Sequence, residues 1–166
     1  MAAFADDLQA FHEQLKNGSV QRAYQGLIQY NLDLKTYLAK KHPTYSVSGS
    51  LYQGYMDMTY FSFTPGSLTE RKLKVAIVFV YETFRFEAWL AAVNKQVQAK
   101  YWQLIKDSGW EQYCLVPSLE GQDAIIECVL VEEPDFSDLD MLTKQIETGS
   151  LKFIADVESF LSGHGS

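Results

Sequence analysis

Arg85, Glu87 and Trp89 alternate along YETFRFEAWL (81–90), directly after the almost wholly apolar LKVAIVFV (73–80). An arginine and carboxylates brought to one surface could do acid–base chemistry or recognise a polar ligand. Hairpin register decides which further residues join them. A two-residue turn at Glu82-Thr83 pairs Phe79 with Phe86, Ile77 with Ala88 and Val75 with Leu90. All six are apolar, so this is the core face, with Phe84 also on it, and a slip by one residue would ruin the match. The other face carries Val80 with Arg85, Val78 with Glu87 and Ala76 with Trp89. On the preceding strand Met56, Met58 and Tyr60 suit the core, which sends Tyr55, Asp57 and Thr59 to the second face. The predicted rows are Tyr55–Val80–Arg85, Asp57–Val78–Glu87 and Thr59–Ala76–Trp89, a shallow trough with small residues down its middle. Tyr55, Asp57, Thr59, Arg85, Glu87 and Trp89 are therefore the candidate binding face, with Asp57 and Glu87 ~9.6 Å apart at two strand spacings of ~4.8 Å. The plain alternative is a half-wet antiparallel sheet, on which Arg85 and Glu87 simply pair with each other.

Other chemistries fit less well. Asp57 followed by Glu70-Arg71-Lys72 resembles the Asp…Glu-x-Lys arrangement of metal-dependent nucleases. If the hairpin turns between 64 and 71, opposed residues sum to about 135 and Asp57 faces Val78. Glu70 then lies ~26 Å away at ~3.3 Å per residue, too far to share one ion. No Gly-rich phosphate loop, zinc helix motif or nucleophile elbow is present. His12, His42 and His164 are scattered, and neither cysteine has a close ligand partner, so no metal and no cofactor is expected. His42 falls at a helix end, where the dipole favours a cation.

These residues need elements to position them. Phe4, Leu8, Phe11 and Leu15 form a helical stripe that ends at Asn17-Gly18. A second helix carries Val20, Ala23, Tyr24, Leu27, Ile28, Asn31, Leu34, Tyr37 and Leu38 on one face and stops before Pro43. The period then changes to two, with strands expected at about 46–52, 55–63, 72–81 and 84–91. Helix returns at 94–106, followed by a hairpin of 113–119 and 124–132. A last helix, roughly 138–161, starts near Ser137 or Asp138, and the tail at 162–166 is expected to fray. The acidic lead-in VEEPDFSDLD reads as a charged loop before a helix rather than a docking segment for a basic partner. Helices bracketing consecutive strands predict one α+β domain over 1–166: a mostly antiparallel sheet of about six strands, with two N-terminal helices, a middle helix and a C-terminal helix packed chiefly on one face.

At 166 residues the chain can bury a sizeable core without staples. A net charge of −7, with basic residues clustered only at Lys40-Lys41 and Arg71-Lys72-Lys74, disfavours nucleic acid as a partner. The longest apolar run, Val75–Tyr81, is far short of a membrane span, and no leader pattern opens the chain. Cys114 and Cys128 could lie across a hairpin, but free thiols in a cytoplasmic protein are the simpler expectation.

GYMDMTYFSFTP (54–65) and KLKVAIVFVYETFRFEAWLAAVNKQVQ (72–98), with PTYSVSGSLYQGYMDMTYF and IIECVLVEEPDF beside them, resemble an uncharacterised family of small bacterial proteins. The resemblance covers most of the chain and implies a bacterial cytoplasmic protein, but it brings no catalytic or binding residues. The leading expectation is a non-catalytic domain that binds a small molecule or a protein through the partly polar sheet face. A metal-independent hydrolase or transferase using carboxylates on that face, and a structural homodimer, are the alternatives.

Overall fold

The almost wholly apolar LKVAIVFV and the alternating RFEAWLAA, joined by a tight turn, form the centre of a six-stranded antiparallel sheet. The computed structural model describes residues 3–164. In chain order the elements are α1 (Phe4–Leu15), α2 (Ser19–Lys41), β1 (Ser46–Val47), β2 (Met58–Thr64), the single turn α3 (Gly66–Thr69), β3 (Leu73–Val80), β4 (Arg85–Ala92), α4 (Lys95–Ser108), β5 (Cys114–Leu115), β6 (Ala124–Val131) and α5 (Leu139–Gly163). Strand order is β1-β2-β3-β4-β6-β5. The α+β class and the six strands follow the sequence expectation.

One face of the sheet is the core. Phe61, Ile77, Phe79, Phe86, Ala88 and Leu90 are essentially inaccessible, and α2 and α5 cover them. Tyr30 of α2 meets Phe86 edge to face, and its hydroxyl bonds Thr143 of α5 at 2.9 Å. Helix α5 comes close to β6 at Gly149, where a Cβ would stand 3.0 Å from a Leu130 methyl. Burial of these rings and aliphatic chains, at ~25 cal/mol per Å² of apolar surface, drives the assembly of this layer.

The helix starts and stops obey local chemistry. Asn94 caps α4 by accepting from Val97 N–H at 2.9 Å, and Asp138 caps α5 by accepting from Met141 N–H at 3.1 Å. Gly109 closes α4 in the left-handed conformation. Among the described residues no helix is long and apolar enough to cross a membrane.

Four expectations need correction. The α1 stripe does not enter the core: Phe4, Leu8 and Phe11 are exposed, and α1 packs chiefly on α2. The strand expected at 46–52 shrinks to Ser46–Val47, with Tyr52 rejoining the sheet only through an isolated bridge to Tyr60. Phe84 is not a core strand residue but a left-handed turn position (φ 55°), half-exposed and packed edge-on against Phe79. Finally, 162–164 do not fray as expected, since α5 continues to Gly163 and the His164 ring stacks on Phe160; residues 165–166 lie outside the described residues.

Candidate functional site

The central register is the expected one. Phe79 pairs with Phe86, Ile77 with Ala88, Val75 with Leu90, Val80 with Arg85, Val78 with Glu87 and Ala76 with Trp89. Arg85, Glu87 and Trp89 therefore share the second face, opposite the helical layer.

The neighbouring strand is out of phase with expectation. Met58 pairs with Val80, Thr59 with Phe79 and Tyr60 with Val78, so opposed residues sum to 138 rather than 135. A shift of three is odd and turns every side chain over. Its cause is the link between β2 and β3, where the single turn α3 and left-handed Lys72 (φ 61°) consume extra residues. Thr59 accordingly lies on the core side. It is fully buried, donates its hydroxyl proton to Gln53 O at 2.7 Å and accepts from the Tyr81 hydroxyl at 2.7 Å. Met58, Tyr60 and Ser62 take the places expected for Tyr55, Asp57 and Thr59.

Asp57 and Tyr55 belong to a turn rather than a strand. Gly54 (φ 72°) and Met56 (φ 63°) both adopt left-handed angles there, and a Cβ on Gly54 would stand 2.1 Å from Met58 O. Asp57 Oδ1 accepts from Tyr55 N–H at 2.9 Å. That bond and a second from Met58 N–H hold the Asp57 carboxyl below the usual carboxylate range. Tyr55 is 93% exposed. Asp57 thus sits outside the row of Glu87, and no Asp57–Glu87 carboxylate pair forms.

Glu87 is 5% exposed and both its oxygens are committed. Arg85 Nε donates to Oε2 at 2.8 Å and the Trp89 indole N–H donates to Oε1 at 2.8 Å. Arg85 also reaches Glu132 at 3.0 Å. One strand further, Glu127 lies opposite Trp89. Burial, then the nearby charge of Glu87, push its carboxyl above the ordinary value, with Arg85 pulling the other way.

The trough exists, displaced along the face. A cavity of about 490 Å³ opens over Ala76 and Ala91, between Tyr60 on one side and Trp89 on the other. Asn94, Lys95 and Gln98 of the start of α4 close one side, with Asp123 from the loop before β6. Gln98 is buried and held by the Gln122 and Ala124 carbonyls at 2.9 and 3.4 Å. A second cavity of about 330 Å³ lies beyond, lined by Ser48, Ser62 and Tyr52 among others. Tyr60, Lys74 and Ala76 border both, so the two make one depression. The Tyr52 and Tyr60 rings face each other across 4.8 Å within it. Burial, then Asp123 and Tyr52, hold the Tyr60 hydroxyl above its ordinary pKa.

Of the six candidate residues, Trp89 alone lines this depression. Arg85 and Glu87 stand behind it, Thr59 is on the far side of the sheet, and Tyr55 and Asp57 form the turn beside β2. Sequence reasoning missed Tyr60, Lys74, Gln98 and Asp123. The signal for Lys74 was present: a lone cation in LKVAIVFV, in phase with Ala76 and out of phase with the core. Among the described residues no group of three or more His, Cys, Asp or Glu side chains is placed to hold a metal ion. The two thiols are free; Cys114 pairs with Glu127 and Cys128 with Ala88, which puts them on opposite faces.

No curated protein and no solved structure matches the chain significantly. Residues 4–161 do match one family, and the chain belongs to it: Domain of unknown function (DUF7000).

Proposed function

We propose that this chain is a non-catalytic domain that binds a small molecule in the trough on its second sheet face. The observation that carries the reading is the continuity of the two cavities through Tyr60, Lys74 and Ala76, on the face free of α2 and α5. A concave surface with aromatic walls and a few convergent polar groups has the make-up of a ligand site. Acid–base catalysis finds less support, because Glu87 spends both oxygens on Arg85 and Trp89 and Asp57 is engaged in its own turn. In this reading the protein acts in a reducing bacterial cytoplasm, a setting that suits its free thiols, with neither nucleic acid nor membrane as partner.

Thermal-shift screening against pooled metabolites tests it. A ligand at a hundred times its Kd stabilises by ~2.7 kcal/mol, about 5–10 °C for a domain of this size. The shift should disappear in Ala76→Leu, which fills the floor of the trough. It should weaken without vanishing in Arg85→Ala, because Arg85 lines neither cavity and acts only through the Glu87 bond to the Trp89 wall. Shifts that persist undiminished in Ala76→Leu would place binding elsewhere and end the proposal.

A further inference from the structure

Charge and shape within the trough narrow its ligand to a class. We infer that it accepts a planar organic anion, an aromatic or heteroaromatic carboxylate whose acid group sits at Lys74; this rests on the trough being a binding site. Lys74 borders both cavities, and among the described residues its ammonium has no ion pair or hydrogen bond. Lys95 adds a second ammonium to the larger cavity, where it donates to the Gln122 carbonyl at 3.3 Å and, among the described residues, has no ion pair. Against these two cations stands one carboxylate, Asp123. The balance is positive on a chain of net charge −7. Of the acids beside Trp89, Glu87 is paired with Arg85, and Glu127 lines neither cavity. An anion entering the trough therefore meets a lining with one more cation than carboxylate, on a chain whose net charge is negative.

Planarity follows from the walls. Trp89 gives its N–H to Glu87, which leaves the apolar indole ring for the cavity. Tyr60 and Tyr52 form the opposing wall, and Ala76 and Ala91 keep the floor low. A flat ring system can lie between the indole and the tyrosines in the offset or edge-to-face geometries that aromatic rings favour. The ammonium of Lys74 is a compact point charge, suited to one carboxylate rather than to bidentate recognition.

Three probes of one shape and different charge decide it: 2-naphthoate, 2-naphthalenemethanol and 2-naphthylmethylammonium, titrated calorimetrically against the full chain. Wild type should bind the naphthoate at least ten-fold more tightly than the alcohol, and the ammonium most weakly. Lys74→Gln should bring the naphthoate to within two-fold of the alcohol while leaving the alcohol's own affinity unchanged; an unaltered urea midpoint shows that the variant is folded. Ala76→Leu should weaken all three. Equal affinity of naphthoate and alcohol for wild type, or naphthoate binding indifferent to Lys74→Gln, overturns the anion inference while leaving the trough as a site if Ala76→Leu still matters. Binding of none of the probes, or binding that ignores Ala76→Leu, removes both.

Discussion

Glu147 of α5 is a carboxylate only 6% exposed and gripped by the end of α2, so its neutralisation should destabilise the fold in a pH-dependent way. The Tyr37 hydroxyl donates to it at 2.9 Å, His42 Nε2 at 2.7 Å and Lys41 Nζ at 3.1 Å. Burial alone would raise its pKa; the bonds from His42, Lys41 and Tyr37 outweigh that and hold it below the ordinary carboxylate value. Glu147→Gln keeps the shape but removes the charge, and its NH₂ must face one of the three donors. Lys41 is half-exposed, so its share is small. The bonds from His42 and Tyr37 remain, and a hydrogen bond to a charged group contributes roughly 1.5–3 kcal/mol. The expected loss at pH 7 is about 2–3 kcal/mol, or about 4–12 °C in Tm. A folded pKa below the unfolded one, itself ~4.3, means the stabilisation is complete above that value. It is lost as pH falls through the folded pKa. Urea unfolding of both proteins from pH 7 to pH 3, followed by tryptophan fluorescence, should show a constant gap above about pH 5 that closes on acidification. A gap below about 0.5 kcal/mol at pH 7, within the range of an ordinary surface substitution, or one that widens towards pH 3, would refute the account.

Two further outcomes follow from burial and register. Thr59→Val should cost about 1–3 kcal/mol in urea unfolding, because the Gln53 carbonyl and Tyr81 hydroxyl lose their buried partner, yet leave trough binding unchanged; lost binding with unaltered stability would show that Thr59 faces the ligand after all. Burial raises the Cys128 thiol to about 11, whereas Cys114 is exposed. At pH 8 a thiol so shifted has on the order of 10²-fold less thiolate than an ordinary one. Iodoacetamide on the native protein should therefore label Cys114 first by peptide mapping, and comparable rates at both sites would contradict the burial of Cys128.

The central hairpin was legible because both its strands carry an unbroken apolar face, and the four-residue connection 81–84 keeps the register that a two-residue turn at Glu82-Thr83 predicts. Phe79–Phe86, Ile77–Ala88 and Val75–Leu90 are all observed. The next strand was not legible for an equally local reason. MDMTYFSFT alternates bulky residues on both sides, so either face can pass for the core, and composition could not break the tie. The link that could have broken it contains α3 and a left-handed lysine at position 72, a residue type with no special preference for that angle. Half of the trough was still visible: Ala76 as its floor and Trp89 as its wall. The rest comes from Asn94, Gln98 and Asp123, brought there by the fold of α4 and β6 and by no spacing within the sequence.

The arrangement also gives Arg85 and Glu87 a role that needs no contact with a ligand. A carboxylate 5% exposed is costly to desolvate unless its oxygens are satisfied, and here a guanidinium and an indole N–H do so. The bond that satisfies Glu87 is the same bond that fixes the plane of Trp89. Trp89 is the wall of the cavity, and a wall already held in place loses little side-chain freedom when something packs against it. Arg85 is anchored in turn by Glu132 at the end of β6, so the chain of contacts runs from the sheet's edge region to the indole ring. What reads in the sequence as a cluster of catalytic residue types is better understood as a brace. The polar alternation of RFEAW stiffens one side of a depression whose other lining comes from Tyr60, Lys74 and the first turn of α4.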